Sequence, residues 1–261
     1  MEQRSAGLQI CMVTHSVYAR DARIRRLTEY LAADGHVVDV VCLTSEYGDD
    51  SAEHPGINIY PVPMSRFRRE GLGVVLEWSL SMFMMFLRTT RLHLKHRYDL
   101  IHVHNMPDSL VFSALVPRLG GCPVILNIHD VAPQVAQAKL EVPASHPIVR
   151  GLALLEKVST RFSSHVITES SAAAATLDSR GTPRDKITIV MNAADAKIFP
   201  EDGGGEHRRA DSGDFTVLFV GTVARRYGLQ ICVRALPHEI RGSGNKAESD
   251  SEGSSRRDRP R

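Results

Sequence analysis

Apolar and polar positions alternate along this chain in blocks that read as short buried strands separated by helices. The clearest block runs from Tyr98 to Asp130, YDLIHVHNMPDSLVFSALVPRLGGCPVILNIHD. Two β-branched runs within it, Leu100–Val103 and Val124–Ile128, are bounded by polar residues, as strands covered on both faces are. Between them Leu110, Val111, Ala114, Leu115 and Leu119 suit a helix packed on a sheet, predicted over Pro107–Leu119. Pro107 fits the helix start, where a missing N–H costs nothing, and Gly120-Gly121 fits the stop. Strand, helix and strand of this length make a right-handed crossover, so the sheet is parallel. Chemistry in such sheets gathers at the carboxyl ends of the strands. Those ends carry His102-Val103-His104-Asn105 and Asn127-Ile128-His129-Asp130, expected to form one cleft wall.

The same reading extends to both sides. Leu8–Thr14 is a first strand, ending in Thr14-His15-Ser16, and a helix follows over Ala22–Ala33 with Ile24, Leu27, Tyr30 and Leu31 on one face. Gly35 is placed to end that helix in the left-handed conformation. Val37–Leu43 and Ile57–Val62 are strands two and three. After the central block, residues 131–147 read as a loop rich in proline and alanine, and Ile148–Phe162 as a helix with Leu152, Leu155, Val158 and Phe162 inward. A strand (His165–Thr168), a short helix (Ser171–Leu177) and a strand (Ile187–Met191) complete the first domain, with Glu169-Ser170-Ser171 supplying helix-capping chemistry.

Residues 66–97 add a different feature. Arg66, Arg68 and Arg69 precede GLGVVLEWSLSMFMMFL, a stretch apolar almost all round from Leu80 to Leu87. It reads as a helix buried against the sheet, as a helix lying in a membrane interface, or, marginally by length, as a span. Further on, Pro200–Asp214 is polar and glycine-rich, a linker by composition, and Phe215–Val220 followed by a helix over Leu229–Leu236 reads as the opening unit of a second α/β domain. Residues 241–261 contain no hydrophobic residue larger than alanine, so a disordered tail is expected there. The resulting division is 1–200, a linker at 201–214, an incomplete second domain at 215–240, and the tail. Strand 215–220 and helix 229–236 are expected to be loosely held, with proteases cutting first after about residue 200.

Composition narrows the function. The 261 residues are 43% hydrophobic and 24% charged, which suits a folded α/β protein. A net charge of +2 is too small to argue for nucleic acid. Cys11, Cys42, Cys122 and Cys232 are far apart and show no metal or disulfide spacing, and the amino terminus lacks a signal-peptide core, so a cytoplasmic location is expected. His102 and His104 share a strand face, but no third ligand follows in sequence, so no metal is expected. No G-x-G-x-x-G lies between strand one and helix one, which argues against dinucleotide binding. A nucleotide-sugar epimerase or dehydrogenase fails on that absence and on the lack of a Tyr-x-x-x-Lys pair.

YDLIHVHNMPD, VILNIHDVAPQ, LEKVSTRFSSHVITES, DKITIVMNAAD and FTVLFVGTVARRYGL occur in one order between residues 8 and about 236. In that order they resemble the amino-terminal half of glycosyltransferase family 4, with the GT-B fold. The resemblance implies an acceptor-side Rossmann-like domain, parallel sheet with helices on both faces, followed by a donor domain that binds a nucleotide-sugar. It implies metal-free transfer without a cofactor, commonly retaining, to a glycan or lipid-linked acceptor, often by a protein peripheral to the inner membrane face. By position, His129 and Asp130 become the catalytic candidates, with Asp130 able to hold the imidazole in one tautomer. Tyr18, Asp21, His104, Asn105 and Asp108 become acceptor-side candidates, with simple helix-start chemistry as the other reading of Tyr18 and Asp21. Gly221, Thr222, Arg225 and Arg226 take the donor-phosphate position, where an arginine can grip a diphosphate in bidentate fashion. Tyr227 stands where many members carry lysine, and Gln134 where an acid often follows the HD-x-x-P segment. The family's paired glutamates would fall past the point where the α/β pattern stops, so little transfer by this chain alone is expected. The alternative function is a non-catalytic acceptor-binding or membrane-docking subunit that needs a separate donor-domain partner.

Overall fold

A computed structural model describes residues 7–45, 54–64, 72–193, 218–221, 223 and 227–235, with no side-chain detail for 72–77. The chain divides into two compact units, Met1–Gly203 and Gly204–Arg261. The first is built on seven parallel strands in the order β3-β2-β1-β4-β5-β6-β7. They are β1 (Gln9–Val17), β2 (Val37–Leu43), β3 (Ile57–Val62), β4 (Leu100–His104), β5 (Val124–Ile128), β6 (His165–Thr168) and β7 (Ile187–Ile189). The chain starts in the middle of the sheet, works outward through β2 and β3, then returns beside β1 and works outward the other way. The expected parallel α/β architecture is therefore the observed one.

Strand alternation divides the core between two sheet faces. Ile10 and Met12 of β1, with Val38, Val40 and Cys42 of β2, pack against Ile24, Leu27 and Leu31 of helix α1 (Ala22–Ala33). Cys11 and Val13, Val41 and Leu43, Ile101 and Val103, and Val124, Leu126 and Ile128 build the other face. That larger core takes Met85 and Leu92 of α2 (Leu72–His96) and Leu110 and Val111 of a 3-10 helix (Asp108–Ala114). Gly35 ends α1 as expected, at φ +93°, where a side chain would be strained.

Five local expectations change. The helix predicted over Pro107–Leu119 begins as the 3-10 helix Asp108–Ala114 and is α-helical only in α3 (Leu115–Leu119). Pro117 explains this, because a continuous α-helix would drive its ring against the carbonyl of Ser113. Residues 131–147, read as loop, contain α4 (Ala132–Leu140) ahead of α5 (Pro147–Phe162). Pro133 does not forbid it, since it lies in the first turn, and Glu141 ends it at φ +53°. Strand β1 continues through Val17, while β7 stops at Ile189 instead of Met191. Helix α2 is two-faced instead of buried all round: Ser81, Met85, Thr89 and Leu92 are buried, and Leu80, Phe83, Leu87 and Leu94 are exposed. Among the described residues no helix is long and apolar enough to cross a membrane. The helix predicted over Ser171–Leu177 runs to Ser179 as α6 (Ser171–Ser179), capped by the Ser170 hydroxyl accepting from Ala173 N–H at 3.1 Å.

In the second unit residues 229–235 are helical, and 218–220, part of the predicted strand, are not in a strand. The arginines at 66, 68 and 69, the linker residues 201–214 and the tail 241–261 lie outside the described residues.

Candidate functional site

Register determines which side chains meet. Met12 pairs with His102 and Thr14 with His104 across β1 and β4, and His104 pairs with Asn127 across β4 and β5. Met12 belongs to the α1 face of the sheet, so His102, His104 and Asn127 project to that face too. His129 follows one residue after β5, and Glu169 one residue after β6, so both sit at the carboxyl edge.

These groups form a chain of contacts. His104 Nδ1 and His129 Nε2 are 3.0 Å apart, with the two rings within 10° of coplanar. His129 Nδ1 lies 2.5 Å from Glu169 Oε1. His102 stacks on His104 with ring centroids 4.3 Å apart. Burial, more than the neighbouring imidazoles and Arg23, holds His104 well below the usual histidine range; burial and His129 bring His102 down to about 4. Both are therefore neutral at neutral pH. The carboxylate on the His129 ring is Glu169, and the expected one, Asp130, is exposed and contributes backbone contacts. Glu169 also faces Arg23, at 3.8 Å, and Arg23 pairs with Asp21 at 3.7 Å.

Asn105 and Asp108 shape the site from behind. The Asn105 carbonyl oxygen accepts from the backbone N–H of His129 at 2.9 Å, and its amide donates to Asp108 Oδ1 at 2.9 Å and to the Asp130 carbonyl at 2.6 Å. Asn105 thus ties the β4 edge to the β5 edge. Asp108 is 2% exposed, and burial pushes its carboxyl up to about 6 against the lowering effect of the Asn105 bond. Tyr18 is also turned inward, its hydroxyl 2.9 Å from the Thr28 hydroxyl. Asp21 accepts from Ile24 N–H at 3.4 Å and caps α1, and it borders a cavity of about 420 Å³ with Ser16, Arg20, Arg23 and Thr44.

A second cavity, about 270 Å³, opens on the α1 face. His104, Asn127, His129 and Glu169 line it from the sheet, and Arg23, Arg26 and Tyr30 line it from α1. Arg26 closes one side, donating to the Ala193 carbonyl and, at 2.6 Å, to Asn192 Oδ1. Asn127 is 8% exposed, and its Oδ1, like Nε2 of His104, has no hydrogen-bond partner among the described residues. Buried polar atoms of this kind are normally paired. No group of three or more potential metal ligands occurs among the described residues.

Of the expected site residues, His104 and His129 line this cavity, Asn105 and Asp108 brace it, and Tyr18 lies under α1. Gly221 belongs to the second unit and is exposed, and Thr222, Arg225 and Arg226 lie outside the described residues. Glu169 was not singled out by sequence as a site residue. It reads as helix-capping sequence, and only the β5–β6 register brings it to His129, whereas Asn127 belongs to the cleft wall expected at the β5 end.

Residues 21–193 match the family described as "Glycosyl transferase 4-like domain". The chain is 28% identical over 230 residues to D-inositol 3-phosphate glycosyltransferase of Pseudarthrobacter chlorophenolicus, covering 81% of this chain and 51% of that protein. It is 27% identical over 223 residues to the protein of the same name from Paenarthrobacter aurescens, covering 81% and 53%. The chain thus spans about half the length of the curated relatives it matches. A sucrose-phosphate synthase structure from Thermosynechococcus elongatus has the same fold, with a TM-score of 0.52, 17% identity, and coverage of 73% of this chain and 92% of that one.

Proposed function

Because the chain belongs to the glycosyl transferase 4-like family, we propose that its first unit is the acceptor side of a glycosyltransferase. The sugar comes from a nucleotide-sugar and passes to a glycan or lipid-linked acceptor. The observation that carries this reading is the cavity at the carboxyl edge of β4 and β5, lined by His104, Asn127, His129 and Glu169, with buried unpartnered atoms on His104 and Asn127. A sugar or cyclitol hydroxyl offers the donors and acceptors those atoms lack. Transfer moves the acceptor hydroxyl's oxygen onto the sugar carbon, breaks the bond to the nucleotide phosphate, and releases the hydroxyl proton. His129 and Asp130, at the β5 edge, are proposed to receive and orient that hydroxyl. Asn105, Asp108 and Asp21 contribute by holding the loops around it, and Tyr18 by supporting α1.

Donor phosphate binding by Gly221, Thr222, Arg225 and Arg226, retention at the sugar carbon, and the absence of a metal requirement belong to the same reading and follow the family resemblance. The relatives are named for D-inositol 3-phosphate, which adds a phosphorylated cyclitol to the acceptors worth offering. The test is to incubate the purified chain with labelled nucleotide-sugars and a panel of glycan, lipid-linked and cyclitol-phosphate acceptors. Labelled product that disappears in His129→Ala supports the proposal. Product unaffected by His129→Ala would remove His129 from the mechanism, and failure of any acceptor to bind would remove the acceptor-side reading.

A second reading, an acceptor-binding or membrane-docking subunit that needs a donor-domain partner, is favoured by the outer face of α2. Leu80, Phe83, Leu87 and Leu94 recur there at helical spacing, with exposed Arg88, Arg91 and Lys95 beside them. Apolar side chains flanked by cations suit an anionic lipid surface. Sedimentation with anionic vesicles should carry the chain down, and Phe83→Glu should release it by several-fold. Equal sedimentation of both forms would dispose of this face as the contact.

A further inference from the structure

Nothing in the family match or in the relatives' names assigns Glu169. We propose that Glu169 is a positioning residue: its carboxylate holds the His129 ring with the proton on Nδ1, and so dedicates Nε2 to accepting from His104. The inference rests on the acceptor-side reading for its purpose, and on geometry alone for its content.

The geometry leaves few choices. A carboxylate oxygen can only accept, so the hydrogen in the 2.5 Å contact with His129 belongs to Nδ1. A neutral His129 ring then has a bare Nε2. The partner at 3.0 Å is Nδ1 of His104, in a ring nearly coplanar with it, so His104 donates and its own Nε2 is left bare. That atom is the one with no partner among the described residues. One carboxylate at the sheet edge therefore fixes the protons of two imidazoles in series.

The direction of the chain matters to the chemistry. An acceptor hydroxyl that reaches His104 from the cavity meets its Nε2 as a lone pair, because the Nε2 lone pair of His129 already accepts from His104 Nδ1–H. A proton taken at His104 Nε2 lets His104 pass its Nδ1 proton to His129 Nε2, so that the resulting His129 imidazolium lies between the Glu169 carboxylate and the now bare Nδ1 of His104. The proton released in transfer thus has a place on the imidazole, and the positive charge has a carboxylate beside it. Arg23, at 3.8 Å from Glu169, keeps the carboxylate aimed by pairing with it from the α1 side. Asn105 fixes the other coordinate by holding the His129 backbone N–H.

Glu169 comes from the β6 edge and His129 from the β5 edge, so the pair also couples ring orientation to the packing of two adjacent strands. In the sequence Glu169 sits directly before Ser170, and the Ser170 hydroxyl, not the Glu169 carboxylate, caps α6. The carboxylate is therefore free of the capping task that its position suggested.

The test reads ring protonation directly and needs no substrate. Long-range proton–nitrogen NMR spectra of the full chain, at about pH 8 where an ordinary histidine is neutral, distinguish a protonated from a bare ring nitrogen. His129 is assigned by its loss in His129→Asn. The wild type should show Nδ1 protonated and Nε2 bare. Glu169→Gln should keep that pattern, since its amide oxygen still accepts, whereas Glu169→Ala should shift His129 toward the Nε2-protonated form. A wild-type ring protonated on Nε2, or no change in Glu169→Ala, would overturn the proposal. Backbone amide spectra of each variant verify folding, and if Glu169→Ala fails to fold, Glu169→Leu in an Arg23→Leu background repeats the comparison with the paired charge removed. Loss of sugar transfer with the tautomer intact would count against the function and leave the positioning role standing.

Discussion

Asp108 gives the sharpest quantitative test of the site's supporting layer. It begins the 3-10 helix behind the β4 edge, is 2% exposed, and accepts from the Asn105 amide at 2.9 Å. Burial pushes its carboxyl up to about 6, against an ordinary aspartate near about 3.9 in an unfolded chain. At about 1.4 kcal/mol per pKa unit, folding the ionised group costs about 3 kcal/mol. A folded-state pKa above the unfolded one means the fold prefers the protonated acid. That preference stabilises fully below about pH 4 and is lost as pH rises through about 6. Glu156 raises the stakes: its carboxyl is also pushed up, by burial first, against the pull of Arg180, and Asp108 contributes to the rise.

Asp108→Asn keeps an oxygen to accept from Asn105 and removes the charge. The variant should exceed the wild type at pH 7 by about 2–3 kcal/mol, allowing about 0.3–1 kcal/mol for a lost anion at a helix start. The advantage should shrink steadily toward pH 4. Urea unfolding of both full chains, followed by far-ultraviolet circular dichroism from pH 4 to pH 7, measures the difference. Carboxylates other than Glu156 shift both proteins alike, so the difference between the two curves isolates Asp108 together with its coupling to Glu156. A variant no more stable at pH 7, or an advantage that stays constant with pH, would refute the reasoning.

Two further substitutions probe the same layer. Arg180 donates to both oxygens of Glu156, which is 1% exposed, so Arg180→Met should cost about 3–5 kcal/mol at pH 7 by leaving a buried carboxylate alone. The loss should be much smaller in Arg180→Met combined with Glu156→Gln, by the same urea assay. Asn105→Ala strands the backbone N–H of His129 and should cost about 1–3 kcal/mol. Its signature would be faster amide exchange at 129 and 130 than elsewhere in the sheet.

The sheet was legible because a strand buried on both faces is a short, largely apolar run rich in β-branched residues, and Leu100–Val103 and Val124–Ile128 carry that signature despite His102 and Asn127. Helix α4 was not, because an alanine-rich segment opening on Pro133 has no strong period and proline reads as loop unless its place in the first turn is known. Helix α2 was legible in kind, but its burial stayed open between a covered helix, an interfacial one and a span, since a side chain's hydropathy does not say whether a neighbour exists to cover it. The site divides along the same line. His104 and His129 follow from strand-end position alone. Glu169 lies 40 residues from its partner, and no local pattern links them. What links them is the β5–β6 register, in which Ile128 pairs with Thr168. Each next residue, His129 and Glu169, then leaves the sheet side by side. Any polar pair at those two positions would meet, so the function of this edge depends on which side chains occupy it. A carboxylate beside an imidazole is the combination that dictates a tautomer. That makes the residue after β6 the position to inspect wherever a histidine follows β5 in this fold.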